Sequence, residues 1–110
     1  MNESDRREYK RIRVELVVSS SFPEGELVEM QTINLSLGGA YCRVNRDIPA
    51  MTKMEVRIQL KLEEPTEDDW INAEAICVRS TKGENGYYIA LYFSYLSDED
   101  QKKLRRFLFD

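Results

Sequence analysis

No histidine occurs in this chain of 110 residues. That absence removes the commonest general base, the commonest metal ligand and every catalytic triad built on an imidazole. Cysteine is scarce: Cys42 and Cys77 stand far apart, without the short spacing of a zinc knuckle or a redox pair and without a visible activating neighbour. Long apolar runs are missing too, and the charged amino terminus lacks the apolar middle of a signal peptide. The expectation is therefore a cytoplasmic protein with no membrane partner and with two reduced, buried thiols. Carboxylates are plentiful, but Glu63-Glu64 and Glu67-Asp68-Asp69 read as a solvated loop, with weak metal binding the alternative. These gaps predict that the chain is not an enzyme and needs no metal or cofactor.

What is present fits one domain. With 42 % hydrophobic residues, 110 residues suffice for one core and are too few for two, and the expectation is a complete small protein. The formal net charge of −4 argues against a general nucleic-acid coat, which must neutralise many phosphates at once. Its distribution is uneven: Arg6, Arg7, Lys10, Arg11 and Arg13 crowd the first thirteen positions against Glu3, Asp5 and Glu8. One basic segment in an acidic protein suits a compact anion held at one place better than a polyanion held along a track.

Apolar residues alternate with period two along most of the chain, which predicts strands with one buried face. Ile12, Val14, Leu16 and Val18 share one face of a first strand, placing Arg11 and Arg13 on the other. A turn at Ser21-Phe22-Pro23-Glu24-Gly25 leads to a hairpin partner near residues 26–33, and Gly38-Gly39 precedes a short strand over residues 40–44. Met54, Val56, Ile58, Leu60 and Leu62 alternate with polar residues, and Tyr87, Ile89, Leu91 and Phe93 share a face of the last strand. The period then changes: Ser97 with Asp100, followed by Leu104, Phe107 and Leu108, predicts a capped amphipathic helix laid on the strands. Lys102, Lys103, Arg105 and Arg106 near its end complement the helix dipole, with a nucleic-acid or acidic-partner patch the alternative. The fold class is all-β, about six short strands in a barrel or sandwich, and no heptad pattern fixes an oligomer beyond a monomer or weak homodimer.

Two polar clusters carry the chemistry that remains. In Arg6-Arg7-Glu8-Tyr9-Lys10-Arg11, guanidinium forks offer bidentate contacts to phosphate or to the O6/N7 edge of guanine. If helical, Arg7 and Arg11 lie one turn apart on one face and repel until an anion sits between them. A frayed terminus pairing locally with Asp5 and Glu8 is the alternative, and spacing alone does not decide. In Ile33-Asn34-Leu35-Ser36-Leu37, strict alternation sends Ile33, Leu35 and Leu37 inward and Asn34 and Ser36 outward. These two polar residues either face a ligand or simply satisfy a turn at Gly38-Gly39.

Taken together, Arg7-x-x-x-Arg11 and Asn34-x-Ser36-x-x-Gly39, in this order and with a hairpin between them, resemble the two motifs of the PilZ domain family of bacterial cyclic di-GMP receptors. The similarity runs from about Asp5 through the carboxyl-terminal helix. It implies a six-stranded antiparallel β-barrel with a C-terminal α-helix, in which Arg7 and Arg11 grip phosphate and guanine, supported by Arg6. Asn34 and Ser36 then address the other face of the ligand, Gly39 keeps the backbone clear, and a basic residue at Arg6 is compatible with two stacked ligands per chain. Asparagine stands at position 34 where the family often has aspartate, and Ala90 where it often has glycine.

The expected mechanism is a switch. Residues 1–10 form a flexible arm carrying the arginine motif, residues 11–110 the barrel domain, and cyclic di-GMP orders one against the other to change the surface seen by an unidentified effector protein. The alternative is a PilZ-like protein-interaction adaptor that no longer binds nucleotide. Single-stranded RNA binding through Tyr87, Tyr88, Tyr92 and Phe93 is opposed by the acidic balance and by the alternation that makes Tyr87 and Phe93 core, so neither DNA nor RNA is an expected partner.

Overall fold

Period-two alternation becomes, in the computed structural model, seven antiparallel strands: β1 (Ile12–Arg13), β2 (Val17–Ser21), β3 (Leu27–Leu35), β4 (Gly39–Val44), β5 (Lys53–Gln59), β6 (Trp70–Gly83) and β7 (Gly86–Leu96). The structure describes residues 11–109, so the arm expected over residues 1–10, with Arg6 and Arg7, lies outside the described residues. Six strands close into a barrel in the order β3-β2-β5-β6-β7-β4, with β4 returning to β3, and β1 lies beside the end of β3 as a seventh. One helix, α1 (Asp98–Phe109), follows the last strand. The expected barrel with its carboxyl-terminal helix is what the chain forms.

The first strand was expected to run unbroken from Ile12 to Val18, and it does not. Its inward alternation survives, but the ladder breaks at residues 14–16, leaving β1 and β2 as separate pieces on the same edge of β3. Thr32, fully buried on β3, fills the break: its hydroxyl donates to the Val14 carbonyl at 2.5 Å and its oxygen accepts from the Leu16 amide at 2.8 Å. A buried hydroxyl with both bonding capacities used costs little and satisfies backbone groups at the break.

The wall opposite is regular. In β5, Met54, Val56 and Ile58 are buried while Lys53, Glu55 and Arg57 are exposed, and the strand pairs with β2 and β6 without a register shift. The alternation stops earlier than the sequence suggested: Leu60 is only partly buried and Leu62 is 63 % exposed. The cause is a turn after Gln59, whose side-chain amide donates to the Lys61 carbonyl at 2.8 Å. Ile89, Leu91 and Phe93 of β7 enter the core as expected, with Tyr87 at its margin. Both cysteines are free and buried there; removal from water pushes the Cys42 thiol up to about 12 and raises that of Cys77, so neither offers a thiolate.

The helix begins as its sequence predicts, with the Asp100 amide donating to the Ser97 hydroxyl at 3.1 Å, and it buries Leu104 and Leu108. Lys103 has a structural role. Its ammonium donates to the carbonyls of Glu67 and Trp70 at 3.2 and 3.4 Å and lies 3.8 Å from the Asp100 carboxylate, fastening α1 to the single 3-10 turn Glu67–Asp69.

Candidate functional site

The second motif is built on a fault in the ladder. Between Thr32 and Asn34 the pairing of β3 with β4 shifts register, so Thr32 and Leu35, three apart, both point inward while Ile33 and Asn34 lie half-buried on the surface. The expectation that Ile33 faces the core is thereby corrected: the extra residue of the bulge changes the phase before Asn34. Without that bulge, an unbroken alternation from buried Thr32 would still turn Asn34 inward.

Ser36 is corrected as well. It was expected to face outward, yet it is 5 % exposed, because its oxygen accepts from the amides of Gly38 and Gly39, each at 3.2 Å, and its hydroxyl reaches the Gly39 carbonyl at 3.3 Å. These bonds, with the Ser36 amide donating to the Gly39 carbonyl at 2.9 Å, tie the tight connection from β3 to β4. The turn-forming role, one of the two alternatives the sequence left open, is therefore occupied. A serine whose lone pairs are taken up this way shapes the backbone of the turn.

Gly39 acts at the opposite side of the same turn. A β-carbon there would meet the Leu91 carbonyl oxygen at 2.0 Å, so the glycine lets β4 approach β7 closely. The glycine thus clears the way for a neighbouring strand.

The two clusters meet at Arg11 and Asn34. β1 pairs Arg13 with Asn34, and one residue before the strand Arg11 turns its guanidinium so that Nη1 donates to Asn34 Oδ1 at 3.4 Å on the exposed surface. That long bond joins the end of the first motif to the start of the second and leaves the Asn34 amide nitrogen without a protein partner among the described residues. Arg7 and Arg6 precede this point in sequence and lie outside the described residues.

Sequence reasoning missed the flank of this site. Tyr41, cross-strand partner of Asn34, and Arg43, partner of Gln31, face outward on β4; Arg43 Nη2 donates to Gln31 Oε1 at 2.9 Å. Tyr41 stacks on Tyr88 with ring centroids 6.1 Å apart and planes 18° from parallel. The available signal was the run Ala40-Tyr41-Cys42-Arg43-Val44, whose small and apolar members are buried and whose larger polar ones must then face water. The resulting surface offers donors, cations and flat rings, and among the described residues it carries no nucleophile and base within reach of one another. Such groups are chemically suited to an anion with planar parts.

A family model described as PilZ domain matches residues 5–110. None of the curated proteins matches. Among solved structures, the inhibitor of motility MotI/DgrA of Bacillus subtilis superposes with a TM-score of 0.78 at 23 % identity, over 94 % of this chain and 49 % of its own, so the chain spans about half of that protein. The PilZ domain of YcgR from Escherichia coli, solved with c-di-GMP, gives a TM-score of 0.70 at 16 % identity over 94 % of this chain and 89 % of its own. The MrkH–c-di-GMP complex of K. pneumonia gives 0.70 at 16 % identity, over 96 % and 52 %.

Proposed function

Because the chain belongs to the PilZ domain family, we propose that it is a cyclic di-GMP receptor in which Arg6, Arg7 and Arg11 close over a surface begun by Asn34 and shaped by Ser36 and Gly39. The observation that carries the reading is the contact of Arg11 with Asn34, which joins the two motifs on one exposed face. The similar structures solved with c-di-GMP support it.

The arrangement gives each part a task. Phosphates and guanine edges take the guanidinium forks of the arm, residues 1–10 together with Arg11. Asn34, held outward by its bulge, presents one acceptor oxygen, now directed at Arg11, and two amide hydrogens. Ser36 and Gly39 fix the turn beneath, so that the receiving surface is rigid while the arm supplies the closure. Ligand contacts to charged groups contribute roughly 1.5 to 3 kcal/mol each and offset the entropy of ordering the arm. The surface that arm, ligand and barrel form together is what an effector protein reads.

Titration calorimetry with cyclic di-GMP tests this. Arg7→Ala and Arg11→Ala are each expected to weaken binding by about 2 to 4 kcal/mol while the thermal transition stays in place. Wild-type binding undiminished in both variants overturns the reading. No binding by the wild-type protein, with a partner protein retained, favours the nucleotide-free adaptor instead.

A further inference from the structure

The register of the sheet places one residue from each of five consecutive strands in a single outward row: Arg13 on β1, Asn34 on β3, Tyr41 on β4, Ala90 on β7 and Arg79 on β6. Two of these positions follow a bulge. The shift before Asn34 turns it outward, and a second shift between Cys77 and Arg79 does the same on β6, where Val78 and Arg79 are exposed in succession after the buried Cys77. Bulges re-aim side chains, and here two strands use one, each delivering a polar residue to the same row.

Ala90 is the smallest member and sits between larger ones. Tyr88 and Tyr92 flank it along β7, Tyr41 and Arg79 across the neighbouring strands. By ordinary sheet spacing the flanking Cα positions stand about 14 Å apart along the strand and about 10 Å apart across it. The floor is thus a methyl group, and the walls are three rings and a guanidinium. Tyr41 is held by its stack on Tyr88, whose own ring rests on Gly83, where a β-carbon would meet Tyr88 Cε2 at 2.1 Å. Arg79 and Arg13 make no ion pair among the described residues.

We infer that this shelf is a base-recognition subsite: a purine lies on Ala90 against the Tyr41 ring, and Arg79 addresses its O6/N7 edge, selecting guanine over adenine. The inference rests on the cyclic di-GMP reading and extends it, because the shelf adjoins Asn34 through Tyr41 and the occupant is a base of the same ligand. Three observations support that occupant. Flat rings stack on bases, cations complement a dianionic nucleotide, and a guanidinium donates where guanine has two acceptors and adenine has a donor at the equivalent position.

The test compares wild type with Tyr41→Ala, Tyr41→Phe, Ala90→Leu and Arg79→Ala, titrating each with cyclic di-GMP and with cyclic di-AMP and recording a thermal transition for each. Tyr41→Ala is expected to weaken cyclic di-GMP binding about tenfold or more, Tyr41→Phe to match wild type, and Ala90→Leu to weaken binding by filling the floor. Arg79→Ala is expected to reduce the preference for cyclic di-GMP over cyclic di-AMP at least about tenfold. Wild-type binding with Tyr41→Ala and Ala90→Leu as tight as wild type overturns the subsite alone. Absence of wild-type binding overturns the receptor reading on which it rests. An unchanged preference in Arg79→Ala overturns the assignment of Arg79 as the guanine reader.

Discussion

The two walls of the barrel are built by different rules. Through β2, β5 and the pairing of β5 with β6, every residue keeps its register, charged side chains face out, and the inward face is apolar apart from Ser20, whose hydroxyl donates to the Val28 carbonyl at 2.6 Å. Through β1, β3, β4 and the later part of β6, the ladder breaks at residues 14–16, bulges before Asn34 and before Arg79, buries a threonine hydroxyl and a serine, and squeezes a glycine against a carbonyl. The regular wall follows local rules throughout. On the irregular wall two of these departures, the bulges, turn a polar residue, Asn34 or Arg79, to one outer face, and bulges are over-represented next to functional sites.

Substitutions on each side sharpen that contrast. The largest effect is expected on the regular wall: Ile58→Ala, at a side chain 1 % exposed, should lower unfolding free energy by about 2 to 5 kcal/mol in a denaturant titration. Its affinity for cyclic di-GMP, measured well below the transition, should match wild type; a parallel loss of affinity would mean that the walls do not work separately. Next comes Gly39→Ala, where the new methyl meets the Leu91 carbonyl and overpacking should cost about 1 to 3 kcal/mol. Here stability and affinity should fall together, because the same turn carries Ser36. A change of comparable size is Thr32→Val, which removes the hydroxyl bridging Val14 and Leu16. A loss of about 1 to 3 kcal/mol is expected, and amide exchange at Leu16 should accelerate more than exchange at Val56, localising the damage to the break.

Legibility in the sequence followed the same division. β5, β7 and α1 were readable because their burial is periodic in the chain itself: Met54, Val56 and Ile58, then Ile89, Leu91 and Phe93, then Leu104 and Leu108. The motifs Arg7-x-x-x-Arg11 and Asn34-x-Ser36-x-x-Gly39 were readable as a resemblance, and Arg11 does meet Asn34. Ile33 was misassigned because a bulge is a property of two strands in register, and nothing within residues 33–37 announces that Ile33 has no partner on β4; Ser36 was misassigned because the turn it ties to Gly38 and Gly39 buries it. Leu62 was misassigned because alternation continues in the sequence after the backbone has turned. Tyr41 and Arg79 went unremarked since neither belongs to a motif; they stand far apart along the chain and reach one row only through the pairing of β4 and of β6 with β7.

That outer row has a genetic consequence. Each of its five seats belongs to a different strand, so a point mutation changes one seat and leaves the other four where they were. Insertions or deletions at hairpin tips, such as residues 84–85 between β6 and β7, lengthen or shorten a loop without displacing any member. A slip of a strand by two residues replaces one seat with its neighbour on the same face and keeps the core facing inward. Related sequences can therefore trade seats singly, and a lineage can change the chemistry of this outer face through steps that each leave a folded barrel behind.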